Sequence, residues 1–176
     1  ANPPSIGCDE YWSGSVTGAL SAAIGVSYTN ASVGFAVDFQ ALIEGRVSAS
    51  RWDFGDGTVI SNRPHASHAW SAPGVYQVTL RAWNESLPDG VSATVTVEVV
   101  DPVHYVAAQS GSPVWPFTSW ATAAATIQEA VDAALVPGAL VLVSNGVYAT
   151  GGRAVYGTMT NRVAVDKPIV VQSVNG

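Results

Sequence analysis

Short runs in the middle of the chain alternate apolar and polar residues. Val33, Phe35, Val37 and Phe39 recur at every second position, which predicts one face of a β-strand. The same alternation recurs over residues 75–82 and 91–99, so we expect two further strands there, each with one apolar face. The side chains predicted to face the interior are Tyr76, Val78, Leu80, Ala82, Val91, Ala93, Val95, Val97 and Val99.

Turn-forming residues separate these runs. Asp53-Phe54-Gly55-Asp56-Gly57, Ala72-Pro73-Gly74 and Leu87-Pro88-Asp89-Gly90 each combine Gly, Pro or Asp in the way that tight turns require. Several short strands at this spacing, with no helical periodicity between them, indicate an antiparallel β-sandwich.

The pattern changes after Asp101-Pro102. Thr126 and Glu129 form a predicted capping box, in which each side chain accepts from the other residue's backbone N–H. A helix with one buried stripe is expected to follow and to end before Pro137-Gly138. Three short apolar runs follow the helix in the chain, and they predict strands that are buried on both faces or stacked in parallel. The helix stripe is Ile127, Ala130, Val131, Ala134 and Leu135, and the runs are 140–143, 162–165 and 168–171.

We therefore predict a mainly β protein with three parts. Residues 1–23 are rich in Gly, Ser and Pro and are interpreted as a linker or the tail of a preceding module. Residues 24–101 form the predicted sandwich, and residues 102–176 form a second unit with one short α-helix. The first residues lack the basic and apolar regions of a signal peptide, so we interpret the chain as an excised internal fragment.

Composition and charge exclude several functions. Charged residues make up 11% of the chain, the net charge is −6, and only seven residues are Lys or Arg, which argues against nucleic-acid binding. No apolar run approaches the roughly 20 residues that span a bilayer. Cys8 is the only cysteine, so it cannot form an internal disulfide; it could pair with another chain, and we interpret it as incidental.

Residues 51–83 carry a recognisable signature. The segments Trp52-Asp53-Phe54-Gly55-Asp56-Gly57, His68-Ala69-Trp70 and Tyr76-Gln77-Val78-Thr79-Leu80 resemble the polycystic kidney disease (PKD) domain in order and spacing. The resemblance implies an immunoglobulin-like β-sandwich over residues 24–101. It also implies that Trp52 and Phe54 point inward and that Trp70, which stands where the family usually has Tyr, packs in the core.

The C-terminal unit is similar to a different family. His104-Tyr105-Val106, the helix that begins at Thr126 and the segment Val141–Tyr148 resemble the N-terminal cap and first coils of a right-handed parallel β-helix. The strand near Pro168–Val171 looks like the second coil. Residues 2–11 are similar to the tail that closes such β-helices, which implies a long array of modules.

No set of residues predicts catalysis. His65 and His68 lie three positions apart without further ligands nearby, whereas zinc normally takes four, and His68 belongs to the PKD-like signature. His104 adjoins the predicted boundary between the units and is expected to be exposed. We therefore predict no enzyme activity for this chain and no cofactor.

Asp53 and Asp56 are weak candidates for calcium ligands. Both lie in an acidic loop, and Ca²⁺ takes 6–8 oxygen ligands. Their spacing of three differs from the two-residue spacing of carboxylates in typical calcium loops. The resemblance implies that these residues mainly shape the turn.

The six tryptophans raise the question of ligand binding. We expect Trp52, Trp70 and Trp120 in the core. Trp83 is predicted on the sheet face opposite Leu80 and Ala82, where it could stack on a sugar ring or pack against residues 1–23 or a neighbouring module. The same two alternatives apply to Trp12 and Trp115, which lie in loop-like segments.

The sequence thus favours a non-catalytic structural and adhesive module of a large bacterial-type protein, secreted or at the cell surface. Its expected partners are other protein chains or copies of itself, because open β edges recruit strands. The alternative is an accessory module that binds extracellular polysaccharide or matrix for a polysaccharide-degrading β-helix enzyme.

Overall fold

The computed structural model describes residues 14–175, and they fold into a mainly β structure with one short α-helix. Cys8 and Trp12 lie outside the described residues. The helical elements are a 3-10 turn at Trp120–Thr122 and helix α1 at Ile127–Ala133. The strands, in chain order, are β1 (Ser21–Val26), β2 (Asn30–Ser32), β3 (Val37–Glu44), β4 (Ala49–Asp53), β5 (Val59–Ser61), β6 (His65–His68), β7 (Gly74–Asn84), β8 (Leu87–Val100), β9 (Val103–Val106), β10 (Leu140–Val143), β11 (Arg153–Tyr156), β12 (Met159–Asn161) and β13 (Val170–Ser173).

Two sheets face each other in the first part of the chain. One sheet has the order β1-β3-β6 and is antiparallel throughout. The other has the order β2-β8-β7-β4-β5, in which β2 pairs with β8 in parallel and the other pairs are antiparallel. The predicted β-sandwich is therefore present.

The sandwich core comes from the inward positions of both sheets. In β7, buried or half-buried positions alternate with outward ones from Tyr76 to Ala82, as predicted, and β8 alternates in the same way. This packing of large aromatic and branched side chains removes most of their apolar surface from water, which is the main stabilising term. The buried core residues are Ala31, Val37, Phe39, Trp52, Phe54, Ala66, Trp70, Val78, Leu80, Val97 and Val99.

Two predicted element boundaries in the sandwich are wrong. Val33 and Phe35 pack against the core but precede β3, because Phe35 N donates to Ser32 O in a turn around Gly34. The turn expected at 87–90 lies instead at Glu85-Ser86, between the paired Asn84 and Leu87. Pro88 and Asp89 sit inside β8, where the register shifts and forms a bulge.

The second unit contains a parallel sheet. Strands β9 and β13 flank β10, and both pair with it in parallel. Helix α1 packs against β9 and β10 and begins at the predicted capping box, in which Glu129 N donates to Thr126 Oγ1 (3.3 Å) and Thr126 N donates to Glu129 Oε2 (3.0 Å). The core of this unit is small-residue rich: Val106, Phe117, Ala124, Ala130, Val131, Ala133, Ala134, Ala139, Val141 and Val143.

Several predictions for this unit are corrected. Leu135 is 70% exposed because α1 ends at Ala133, before the helical stripe reaches Leu135. Residues 162–165 are not a strand; the chain forms the antiparallel hairpin β11-β12 just before them. The last strand begins at Val170 rather than Pro168, and its side chains are exposed.

The chain before residue 24 also contacts the sandwich. Strand β1 begins at Ser21, and Glu85 N donates to Val16 O (2.9 Å). Asn84, which is 3% exposed, donates its side-chain amide to Gly18 O at 2.9 Å. Residues 16–23 therefore make hydrogen bonds with the sandwich, and the division of the chain at residue 24 stays a prediction.

The helical content is small. Among residues 14–175, no helix has the length and apolar character that crossing a membrane requires.

Candidate functional site

The outer face of the five-stranded sheet carries the candidate residue Trp83. The register of β4 with β7 places Arg51 opposite Arg81 and Asp53 opposite Thr79, with Trp83 opposite Ala49. Because alternate residues share a face, these polar side chains and the indole line one shallow groove of about 220 Å³, formed by Arg51, Asp53, Thr79, Arg81 and Trp83.

The Trp83 ring packs within its own sheet. The Arg81 guanidinium lies 5.5 Å from the ring centroid, in cation–π contact, and Arg81 Nε also donates to Asp89 O at 2.9 Å. Gly90 lies under the ring: a Cβ there would stand 2.7 Å from Trp83 Cδ1. Trp83 is consequently half-buried, and its role as a ligand contact stays a prediction.

The Asp53–Gly57 loop is a tight turn held by its own aspartates. Asp53 Oδ1 accepts from Gly55 N (3.0 Å), and Asp56 Oδ1 accepts from Thr58 N (2.9 Å). Gly55 and Gly57 have φ of 77° and 92°, a backbone region that residues other than glycine rarely adopt. The turn predicted from the sequence is confirmed.

A calcium role for these aspartates stays a prediction. Asp53 Oδ2 also lies 3.8 Å from Arg51, so each carboxylate already has partners. Within residues 14–175, no group of three or more His, Cys, Asp or Glu side chains is arranged to hold a metal ion.

His68 joins the loop to the core. Its Nε2 lies 2.8 Å from Asp56 Oδ2, and its ring stacks on Phe54 at 4.3 Å and meets Trp70 edge-on at 4.8 Å. Partial burial by itself raises the pKa of the Asp56 carboxyl, but the hydrogen bonds from Thr58 and His68 outweigh it and hold that pKa below the usual value of 3.8. His68 thus has a structural role.

Trp52 and Trp70 lie in the core, as predicted. They are 0% and 1% exposed, and each indole N–H has an acceptor: Arg63 O for Trp52 (2.9 Å) and Phe54 O for Trp70 (3.1 Å). Buried indoles with a satisfied N–H stabilise the sandwich and are not available to a ligand.

The predictions for Trp120 and His104 are wrong. Trp120 is 46% exposed: the neighbouring core is filled by alanines and valines, and the indole packs edge-on against Tyr105 (4.6 Å) at the surface. His104 is 5% exposed because it shares the inward face of β9 with Val106. Its Nδ1 donates to Pro116 O at 2.7 Å, since a carbonyl oxygen only accepts.

Trp115 is exposed and lies near Trp120. It occupies the tip of a turn that Phe117 N closes by donating to Val114 O (2.8 Å). Sequence reasoning placed Trp115 in a loop correctly but missed Trp120 as a surface residue. The residues around Trp120 carry no local signal of this exposure, because the position of the indole depends on its contact with Tyr105 on β9.

The sandwich has recognisable relatives. Residues 21–99 match the family model described as the PKD domain. This part of the chain is similar to PKD domains, a family of non-catalytic modules. The match begins where β1 begins and ends one residue before β8 ends.

Solved structures similar to this chain include the three that follow. The PKD domain of an M14-like peptidase from Thermoplasmatales archaeon SCGC AB-540-F20 is 19% identical, with a TM-score of 0.39, over 44% of this chain and 91% of that one. The PKD1 domain of the Vibrio cholerae metalloprotease PrtV is 20% identical, with a TM-score of 0.36, over 44% of this chain and 93% of that one.

The third structure comes from work on carbohydrate-binding modules of the β-sandwich superfamily. It is 24% identical, with a TM-score of 0.42. The match covers 55% of this chain and 39% of that one, so this chain spans less than half of its length.

Proposed function

We propose that this chain is a non-catalytic structural module of a larger secreted or cell-surface protein, in which it holds neighbouring segments at a fixed spacing and mediates association between chains. The observation that carries the proposal is the contact between the PKD-type sandwich and the parallel sheet. Two residues, Asp101 and Pro102, connect β8 to β9, which leaves little freedom between the two cores.

Side chains and backbone reinforce this junction. Ser32 N donates to Pro137 O (2.8 Å), across the two units. Gly138 has φ of 82°, and a Cβ there would stand 2.8 Å from Phe35 Cβ, so the backbone after α1 lies directly against an aromatic residue of the sandwich. Phe35 in turn meets Tyr28 edge-on at 5.7 Å. A packed junction of this kind supports a role as a spacer, because it fixes the orientation of each unit relative to the next in a chain of modules.

A distance measurement tests the spacer. Two nitroxide labels at the exposed positions Ser67 and Val147, in a Cys8→Ser background, should give one narrow distance distribution. Gly138→Ala should broaden this distance distribution, because the new Cβ collides with Phe35 and because alanine is strained at the φ of 82° that Gly138 adopts.

Gly111→Ala is the matched control, since a Cβ at Gly111 meets nothing within 4 Å. Circular dichroism confirms that each variant is folded. A broad distribution in the parent protein would contradict the spacer.

A second candidate function is binding to extracellular polysaccharide or matrix. The groove around Trp83 favours it, because an indole flanked by Arg51, Asp53 and Thr79 offers both an apolar ring and hydrogen-bonding groups. The usual extracellular setting of PKD domains supports the proposed location for either function.

A further inference from the structure

Two indoles and a valine are exposed on one short surface segment of the second unit. Trp115 is 67%, Trp120 46% and Val114 56% exposed. We call residues 113–122 the aromatic loop. Large apolar side chains that remain in water together on one segment are a common mark of a binding surface.

The aromatic loop is held rigidly by its backbone. Val114 N donates to Thr122 O (3.1 Å), so the residue before Trp115 and the residue two positions after Trp120 are adjacent in space. Ser119 Oγ and Thr122 Oγ1 lie 2.8 Å apart and share a hydrogen bond. A binding surface that is ordered before it meets its ligand loses little conformational entropy on binding.

The loop is also anchored to the core beneath it. Phe117 is 7% exposed and belongs to the core of the second unit, although its φ of 65° is unfavourable for a bulky residue. Tyr105 N donates to Phe117 O (2.7 Å), and Tyr105 holds the Trp120 indole edge-on. Phe117 thus points inward while the two indoles stay outside, an arrangement that costs backbone energy and presents Trp115 and Trp120 to solvent.

The segment that forms this surface carries no charged side chain of Asp, Glu, Lys or Arg. Residues 102–128 contain no Asp, Glu, Lys or Arg. The neutral groups around the indoles include the hydroxyls of Ser112, Thr118 and Ser119, all on exposed residues. Indole rings stack on the apolar C–H face of a sugar, and hydroxyl groups pair with its hydroxyls. Nucleic acid would need cations to neutralise its phosphates.

We infer that the aromatic loop binds a neutral polysaccharide, with pyranose rings stacked on Trp115 and Trp120. The inference deepens the second candidate function and rests on it, but it moves the ligand from the sandwich face at Trp83 to the other unit. Trp115 and Trp120 would contact the sugar directly, while Phe117 and Tyr105 are positioning residues.

Affinity electrophoresis through gels that contain a neutral soluble polysaccharide tests this inference. The probes are hydroxyethyl cellulose, galactomannan and glycol chitosan that has been fully N-acetylated, with the anionic polygalacturonate for comparison. At least one neutral probe should retard the parent chain. Trp115→Ala and Trp120→Ala should each weaken that interaction about tenfold, the effect of losing one stacked ring.

Tyr156→Ala is the matched control, because it removes an aromatic side chain that is 89% exposed and lies outside the aromatic loop. Trp83→Ala tests the alternative groove on the sandwich. A two-dimensional NMR titration gives a second readout: the indole N–H signals of Trp115 and Trp120, assigned from the variants, should shift with the sugar. Trp120→Phe, which keeps a ring against Tyr105, guards against loss of fold in the alanine variant.

The outcomes separate the two levels of the proposal. Retardation that Trp83→Ala abolishes and the loop variants leave unchanged would keep polysaccharide binding but overturn the aromatic loop as its site. No retardation by any neutral probe would overturn both. Self-association that is lost in Trp115→Ala, without sugar binding, would assign the loop to a protein contact and overturn the inference.

Discussion

Asp56 and His68 connect the signature turn to the aromatic core of the sandwich. The carboxylate accepts from both Thr58 N and the imidazole, and the imidazole stacks on Phe54. These contacts favour the charged form of Asp56 and so lower the pKa of its carboxyl. Single residues of this kind explain why the WDFGDG-like segment has its composition: each Asp is a turn acceptor, and neither requires a metal for that role.

A pH prediction follows from the lowered pKa of Asp56. A carboxyl whose pKa is lower in the folded state contributes stability that is present above its unfolded pKa, near 3.8, and is lost as the pH falls through the folded value. The free energy of unfolding, measured with urea, should therefore be lower at pH 3 than at pH 7. Asp56→Asn should make this difference between the two pH values smaller.

The control for that prediction is Asp89→Asn, which changes an exposed side chain. It should keep the pH dependence of the parent protein. An Asp56→Asn protein whose unfolding free energy changes with pH as much as the parent's would contradict the assignment.

Helix α1 shows how an element can be predicted from local sequence. The capping box at Thr126 and Glu129 and the helical stripe fixed its start and its buried face, since these depend on residues three or four positions apart. Its end was predicted at Pro137-Gly138, but α1 ends at Ala133, so the prediction that Leu135 is buried is wrong. The turn at Glu85-Ser86 was missed for a related reason: the bulge in β8 depends on pairing with β7, which local patterns do not reveal.

Loss of the cap should destabilise this short helix. Thr126→Ala removes the Oγ1 acceptor of Glu129 N, and we expect the free energy of unfolding to fall by about 1 kcal/mol, the typical effect of removing an N-cap. Thr150→Ala, at an exposed position, is the control and should change it little. Equal unfolding midpoints in urea for Thr126→Ala and the parent would show that the cap is dispensable.

The whole molecule joins two different β arrangements, and both expose strand edges. β13 is the outer strand of the parallel sheet, and Val170 and Val171 are 48% and 40% exposed. Within residues 14–175, β13 pairs on one side only, with β10, and an edge strand with apolar side chains favours pairing with another strand. This supports the association part of the proposed function.

Self-association through β13 can be measured directly. The weight-average mass from sedimentation should rise with protein concentration, and Val171→Lys should suppress the rise, because a charge on an edge strand opposes strand pairing. Val147→Lys places the same charge at a side chain that is 85% exposed and outside any strand, and it should leave association unchanged. A strict monomer at all concentrations would contradict this route.

The sequence by itself determined the sandwich, its signature turn, the core positions of Trp52 and Trp70, the helix cap and a run of apolar strands after it. Each follows from side-chain alternation, turn chemistry or capping, which act over a few residues. Only the tertiary structure decided that Trp120 is exposed, that His104 is buried and that Phe35 meets Gly138 across two units. These outcomes depend on the volume and the partners that distant segments supply, and neighbouring residues in the chain do not encode them.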